Sequence, residues 1–137
     1  FMTSEQMLQQ WHGKYKKWET VVWNKLYRKS IFDKGGEAVV RFPDGRKLED
    51  VLISHLLVAN AKQIVLTMHK LYLYHIRPNS RASQSRMTGL MRENLRAQRE
   101  RMAFFKERRY WRAYLNLLWG YVLHLGWFGW KRVKGNK

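Results

Sequence analysis

The chain has 137 residues, of which 45% are hydrophobic, and this composition fits one globular domain with a buried core. Its 27 Lys and Arg against 10 Asp and Glu give a formal net charge of +17, which indicates a partner of opposite charge: nucleic acid, an anionic membrane surface or an acidic protein. The absence of cysteine excludes disulfides, thiolate metal sites and cysteine nucleophiles.

The N-terminal segment has the pattern of an amphipathic helix. Thr3 and Gln6 have the spacing of a capping box, in which each side chain bonds to the other residue's backbone N–H. Apolar residues then recur at steps of three and four, which predicts one buried helical face: Met7, Trp11, Tyr15, Trp18, Val22 and Leu26. Gly35-Gly36 is expected to end this extension, which covers residues 1–36.

Residues 37–48, EAVVRFPDGRKL, predict a short hairpin or extended segment, because Pro43-Asp44-Gly45 is typical of a turn. A second helix is expected to begin at Leu48 or Glu49, with acidic residues in its first turn. Its apolar residues continue the helical spacing up to the proline that follows Arg77: Leu52, Leu56, Ala59, Ile64, Met68 and Leu71.

Two more helices follow a polar loop. Ser85 is a candidate cap for a third helix, and a fourth is expected from Tyr110 to Leu125, closed by Gly126. The fold class is therefore all-α: a small bundle of about four helices with a long helical hairpin. It divides into an N-terminal extension (1–36), a helical domain (37–126) and a basic aromatic tail (127–137). The apolar run 115–130 is shorter than the roughly twenty residues of a membrane-spanning helix, so no transmembrane span is predicted.

Arginine is concentrated between Arg77 and Arg112, where eleven basic residues accompany three acidic ones. Arg92, Arg96 and Arg99 are spaced to lie along one side of the third helix. Like charges at these spacings destabilise an isolated helix, so a polyanion along that side is expected. Arginine's planar fork suits phosphate oxygens, which favours nucleic acid over a membrane or an acidic protein.

Between residues 50 and 122, about half of the chain, a set of elements occurs in this order: His69 and His75, the loop 77–84, Ser85-Arg86, Gly89-Leu90-Met91-Arg92, Gln98-Arg99-Glu100-Arg101-Met102, Phe105, the basic turn from Lys106 to Arg109, and Tyr114 with Leu117 and Leu118. By the order and spacing of these elements, the third and fourth helices resemble the small ribosomal subunit protein fifteen family, whose members bind a three-way junction of small-subunit ribosomal RNA.

This resemblance implies a structural constituent of the mitochondrial small ribosomal subunit, without catalysis, cofactor or small-molecule substrate. Neighbouring ribosomal proteins would bind the N-terminal extension and the C-terminal tail. Arginines would position the RNA backbone, while His75, Ser85 and Gln98 would read bases or ribose. The implied RNA-binding set is His75, Arg77, Asn79, Ser80, Arg81, Ser85, Arg86, Arg92, Arg96, Gln98, Arg99, Arg101, Arg108 and Arg109. For any single loop residue of this set, ordinary turn and cap chemistry is the favoured role.

Two alternatives stay open. Leu26-Tyr27-Arg28 resembles the signature of the mitochondrial LYR family, small basic helical proteins that bind acylated carrier protein or serve in respiratory complexes. The aromatic stretch from Tyr110 to Trp130 would also suit an accessory subunit at the inner-membrane surface. Catalysis is not expected, because the five histidines are scattered and have no metal-ligand spacing.

Overall fold

A computed structural model describes residues 1–11, 20–33, 39–75, 78 and 87–134, without the side chains of residues 87, 88, 124 and 127–134. These ranges contain five helices and two short strands. The prediction of a mostly helical chain is confirmed, but all-α is wrong in one detail, because a small sheet is present. In chain order the elements are β1 (Met2–Thr3), α1 (Ser4–Gln9), α2 (Ser30–Asp33), α3 (Glu49–Asn60), β2 (Gln63–Ile64), α4 (Met87–Glu107) and α5 (Trp111–Lys134).

The predicted capping box is present at the start of α1. The Gln6 backbone N–H donates to Thr3 Oγ1 at 3.2 Å, and the Thr3 backbone N–H donates to Gln6 Oε1 at 2.9 Å. The helix itself ends at Gln9, and residues 20–29 are not helical. The expected helix up to Leu26 is therefore wrong in its second half, and residues 12–19 and Gly35-Gly36 lie outside the described residues.

Helix α3 begins at Glu49, as predicted, but it ends at Asn60 rather than before Pro78. The chain then turns extended at Ala61, and β2 pairs antiparallel with β1, with Met2 opposite Ile64. The Asn60 side chain donates to the Ile31 carbonyl at 2.9 Å. These long-range contacts use the residues that would otherwise continue the helix, and tertiary pairing therefore overrides the helical spacing.

Residues 39–48 form an extended arm with a turn at Asp44-Gly45, and they contain no strand. Gly45 has φ of +69°, a left-handed conformation that suits glycine. The Val40 backbone N–H donates to the Phe32 carbonyl at 3.0 Å, and the Val40 side chain is buried. The described part of this segment therefore lacks the strands of a hairpin, and residues 37–38 lie outside the described residues.

Helices α4 and α5 form a hairpin in which the chain reverses at residues 108–110. Arg99 and Tyr121 meet across it, with Arg99 Nε donating to the tyrosine hydroxyl at 2.6 Å. Helix α5 continues through Gly126 to Lys134, so the expected end at Gly126 is wrong. Glycine inside a helix weakens it only modestly, and the backbone of residues 127–134 is helical rather than a separate irregular tail.

The core has two clusters, and residues of the N-terminal extension pack in or against both of them. Leu8 and Trp11 pack with residues of the helical hairpin, whereas Val40 packs with α3 and Ala97 of α4. Full burial of Trp11 means that residues 1–11 stabilise this chain's own fold. The first cluster comprises Leu8, Trp11, Phe105, Ala113 and Leu117, and the second comprises Val40, Leu52, Ile53, Leu57 and Ala97.

Helix α5 is apolar on two opposite sides. Ala113, Leu117 and Tyr121 are buried against the rest of the protein. At 3.6 residues per turn, another set lies about 180° away, and we call it the outer face of α5. Its members are half or more exposed to solvent: Trp111, Leu115, Trp119 and Val122.

Candidate nucleic-acid interface

One side of α4 is lined with cations. Successive helical residues are about 100° apart, so Arg92, Arg96, Arg99 and Lys106 fall within about 80° of one another along about 21 Å of helix. We call these four residues the basic row. All four are exposed. The row lies opposite Ala97 and Phe105, which are buried, so packing of α4 directs it outward.

Two of the three acidic side chains of α4, Glu93 and Glu100, are held by a cation from another segment. Arg46 in the extended arm reaches Glu100 at 3.1 Å and Glu93 at 3.4 Å. Arg96 also lies 3.3 Å from Glu100, one helical turn away. Because Glu93 and Glu100 are also paired with Arg46, they neutralise less of the positive charge of the basic row than two carboxylates otherwise would. Arg46 was not predicted as a site residue. Its pairing with the glutamates of α4 is seen only in the structure, because the partners are about fifty residues apart in sequence.

Members of the row differ in how firmly they are held. Arg99 is fixed through its bond to the Tyr121 hydroxyl, and its guanidinium carbon lies 5.7 Å from the centroid of that ring. Arg96 has a surface ion pair, which contributes little to stability. Arg92 has no side-chain partner among the described residues. The row therefore combines one anchored cation with others that can turn towards a ligand.

Two residues of the implied RNA-binding set lie on the wrong side of α4. Arg101 is 1% exposed and Gln98 is 6% exposed. The Arg101 guanidinium donates to the Val51 carbonyl and lies 5.3 Å from the centroid of a Trp11 ring. Around the helix, Arg101 lies about 180° from Arg92, and Gln98 lies about 120° from Arg92. In this structure the Arg101 side chain supports the core. The predicted RNA contacts of Arg101 and Gln98 are therefore corrected, because both side chains are buried.

The turn between α4 and α5 extends the positive surface. Arg108 lies against Phe104, with its guanidinium carbon 5.5 Å from the ring centroid, and Arg109 is exposed. The turn is a Schellman motif, since the Tyr110 N–H donates to the Phe105 carbonyl at 2.9 Å and the Arg109 N–H donates to Lys106 at 3.2 Å. Arg109 occupies the left-handed position with φ of +61°, where glycine is usual.

We expect Arg109→Gly to raise stability and weaken RNA binding. A non-glycine residue in the left-handed region costs about 1–2 kcal/mol, and glycine's greater freedom in the unfolded chain offsets part of this gain. The net increase in the free energy of unfolding is about 0.5–1 kcal/mol, measured by urea denaturation. Arg109→Asn is the matched variant, because asparagine tolerates this conformation and removes the same charge. Unchanged RNA affinity in both variants would remove Arg109 from the interface.

The remaining members of the implied set are mostly undescribed. His75 is exposed in an extended segment that follows β2. The other six loop and cap residues lie outside the described residues: Arg77, Asn79, Ser80, Arg81, Ser85 and Arg86. The described part of the interface therefore consists of the basic row, Arg108 and Arg109.

Beneath α4, His55 is buried in the aromatic core. Its ring centroid lies 4.9 Å from Phe104, 6.1 Å from Phe105 and 6.5 Å from Trp11. Burial, and then the positive charge of Arg101, hold the pKa of His55 well below its ordinary value. His55 is therefore a neutral core histidine near pH 7, packed against aromatic rings.

Acid is expected to destabilise the fold through His55. The lowered pKa of His55 means that only the unfolded chain binds this proton as pH falls below about 6.5. The free energy of unfolding should therefore fall between pH 7 and pH 5, with a limiting slope of about 1.4 kcal/mol per pH unit. Urea denaturation at each pH measures the free energy of unfolding. His55→Gln should flatten this dependence, and an identical slope in both proteins would contradict the assignment.

The structure offers little support for other kinds of site within its described ranges. No group of three potential metal ligands occurs among the described residues. In the same ranges, no helix is both long and apolar enough to cross a lipid bilayer. Leu26 is fully exposed and residues 26–28 are not helical, whereas the LYR resemblance calls for a motif within a first helix.

Comparisons with protein-family models, with curated proteins and with solved structures gave no match.

Proposed function

We propose that the protein is a structural RNA-binding component of the mitochondrial small ribosomal subunit and that the basic row of α4 lies along the phosphate backbone of a ribosomal RNA helix. The observation that carries the proposal is the exposed row of four cations opposite the packed face of α4. Like charges this close repel one another, and phosphates along the row would relieve that repulsion.

The dimensions of the row suit a polyanion rather than a single acidic group. Cations spaced at three, four and seven residues are separated by about 4.5, 6 and 10.5 Å along the helix axis. A nucleic-acid backbone presents phosphates repeatedly along a comparable length. Three of the four cations are arginines, which can bind phosphate oxygens through two parallel bonds. Arg109 continues the same charge beyond the end of α4.

The ribosomal part of the proposal rests on the resemblance in residues 85–118. Within that range, α4 and α5 are consecutive helices joined by a basic turn, in the order that the resemblance implies. The long preceding helix that should end in His69 and His75 is not present, because α3 ends at Asn60 and residues 65–75 are non-helical. The support therefore comes from the hairpin and its charges.

Salt dependence is the direct test of the proposed RNA contact. We expect the logarithm of the association constant for a structured ribosomal RNA fragment to fall linearly with the logarithm of salt concentration, with a slope of about −4 for four or five phosphate contacts. Fluorescence anisotropy at several salt concentrations measures it. Co-sedimentation with small ribosomal subunits in a sucrose gradient tests the cellular assignment. Absence of measurable RNA binding at low salt would contradict the proposal.

A second candidate function is that of an accessory subunit at the inner-membrane surface, and the outer face of α5 favours it. Trp111 and Trp119 are 50% and 67% exposed, beside Leu115 and Val122. Tryptophan is enriched at membrane interfaces, and a charge of +17 would attract anionic lipid. This candidate predicts co-fractionation with membranes and loss of that association in Leu115→Glu with Trp119→Glu. The ribosomal proposal predicts that the same variant keeps its affinity for RNA.

A further inference from the structure

Three exposed aromatic rings meet outside the helices of the described part of the chain. The centroid of Trp23 lies 4.9 Å from that of Tyr72 and 4.8 Å from that of Tyr74, with interplanar angles of 34° and 30°. Tyr72 and Tyr74 are two residues apart in a segment that is neither helix nor strand, and both rings contact Trp23. The structure thus assembles a small aromatic cluster from two segments about fifty residues apart in sequence.

These rings are not part of either core cluster. Trp23 is 43% exposed, Tyr72 is 52% exposed and Tyr74 is 55% exposed, whereas Trp11 and Phe105 in the core are fully buried. Aromatic rings pack on one another in water because burial of their faces is favourable. About half of each side chain remains exposed, so a flat ligand could extend the stack.

The charge around the cluster selects the class of that ligand. No Asp or Glu occurs in residues 51–92 or in residues 20–32. Arg28, Lys29 and Lys70 are exposed near the cluster along the chain. Aromatic clusters also bind ammonium groups through cation–π contacts, but the protein's net charge of +17 disfavours a cationic ligand. A flat group joined to an anion fits both features.

We propose that Trp23, Tyr72 and Tyr74 form a stacking site for unpaired nucleobases of RNA. The inference rests on the proposed RNA-binding function and extends it, because bases within a duplex are already stacked and cannot reach these rings. Single-stranded RNA exposes its bases, and aromatic side chains bind them with little sequence preference. The bound RNA would thus have an unpaired segment in addition to the helix along the basic row.

The test compares two RNAs and one modified RNA. The probes are a fluorescently labelled single-stranded oligoribonucleotide, a duplex of equal length, and the same single strand with several abasic positions. For the unaltered protein we expect about 10-fold weaker binding of the abasic strand, since its phosphates remain and its stacking groups are gone. Equal affinity for the complete and abasic strands would overturn the stacking site, without any change to the protein.

The matching variant is Tyr72→Leu with Tyr74→Leu, which retains apolar side chains but removes two aromatic rings. We expect its affinity for the single strand to fall about 10-fold, with duplex binding within about 2-fold of the original. The salt slope should stay unchanged, because no cation is lost. Trp111→Leu with Trp119→Leu is the control, since it removes two exposed aromatic rings elsewhere and should leave both affinities unchanged.

The outcomes separate this inference from the proposed function. Binding to the duplex with no binding to the single strand would overturn the stacking site and leave the basic row in place. Equal losses for duplex and single strand in the tyrosine variant would also overturn it, because they indicate damage to the fold or a general effect. Failure of the unaltered protein to bind either RNA would overturn both proposals.

Discussion

Replacing Arg92, Arg96 and Lys106 together by glutamate is expected to weaken binding to structured RNA by about 100-fold or more at low salt. Each substitution places a negative charge where the basic row would meet a phosphate. The three side chains are exposed and lie opposite the packed face of α4, so the helical circular dichroism should persist. Arg99 is left intact because its bond to Tyr121 joins α4 to α5.

A second triple variant controls for net charge. Lys47→Glu, Lys62→Glu and Arg112→Glu also replaces three exposed cations by glutamate, and it changes the net charge by the same amount. If the row is the interface, this control should lose much less affinity and should keep most of the salt slope. Equal losses in both variants would mean that RNA binding depends on overall charge alone, and the assignment of α4 would then fail.

The second large effect is expected from Arg101. Arg101→Glu should prevent stable folding, because it removes a bond to the Val51 carbonyl and a contact with Trp11 and places a carboxylate in the core. Removing one member of a buried charged contact typically costs about 3–5 kcal/mol. Burial raises the pKa of the nearby Asp50, and the Arg101 charge opposes that rise, so a second carboxylate would also meet repulsion there.

Arg101→Met separates packing from charge. Methionine fills much of the arginine volume without bringing a charge into the core, and such replacements are far less damaging than charge reversal. We expect this variant to fold with a modest loss of stability and to keep its affinity for RNA. Urea denaturation measures the loss of stability, and fluorescence anisotropy with labelled RNA measures the affinity. A stable Arg101→Glu protein that has lost RNA binding would place Arg101 at the interface after all.

The sequence predicted those features that depend on local chemistry. Thr3 and Gln6 bond to each other's backbone across one turn, so their spacing alone was sufficient. Helix α4 was also predicted, because apolar residues recur at helical spacing after Ser85. The turn at Asp44-Gly45 follows from glycine's access to positive φ.

The end of α3 depended on contacts that no local pattern contains. Ile64 and Leu71 have helical spacing with the residues before them, but β-branched and aromatic residues in the same stretch also suit extended backbone. Pairing of β2 with β1 joins residues about sixty positions apart. The spacing of residues 49–76 contains no information about this pairing. The predicted helix therefore extended beyond Asn60, where α3 ends.

Arg101 was misassigned even though a signal was present. The arginine count treated every cation of α4 as exposed, but Arg101 shares its side of the helix with Ala97 and Phe105, both of which are buried. Placing each arginine by its angle around the helix would have separated Arg101 from Arg92 and Arg96. Arg46 and Tyr121 gave no such signal, since both act through contacts with distant parts of the chain.

The two-sided apolar character of α5 also bears on the fate of surplus copies in a cell. A copy that has not joined the proposed ribosomal assembly exposes Trp111, Leu115 and Trp119 to water, and such surfaces promote aggregation and recognition by chaperones and proteases. Orphan molecules should therefore be cleared quickly. The steady-state abundance of this protein would then follow the supply of whatever covers α5, rather than its own rate of translation.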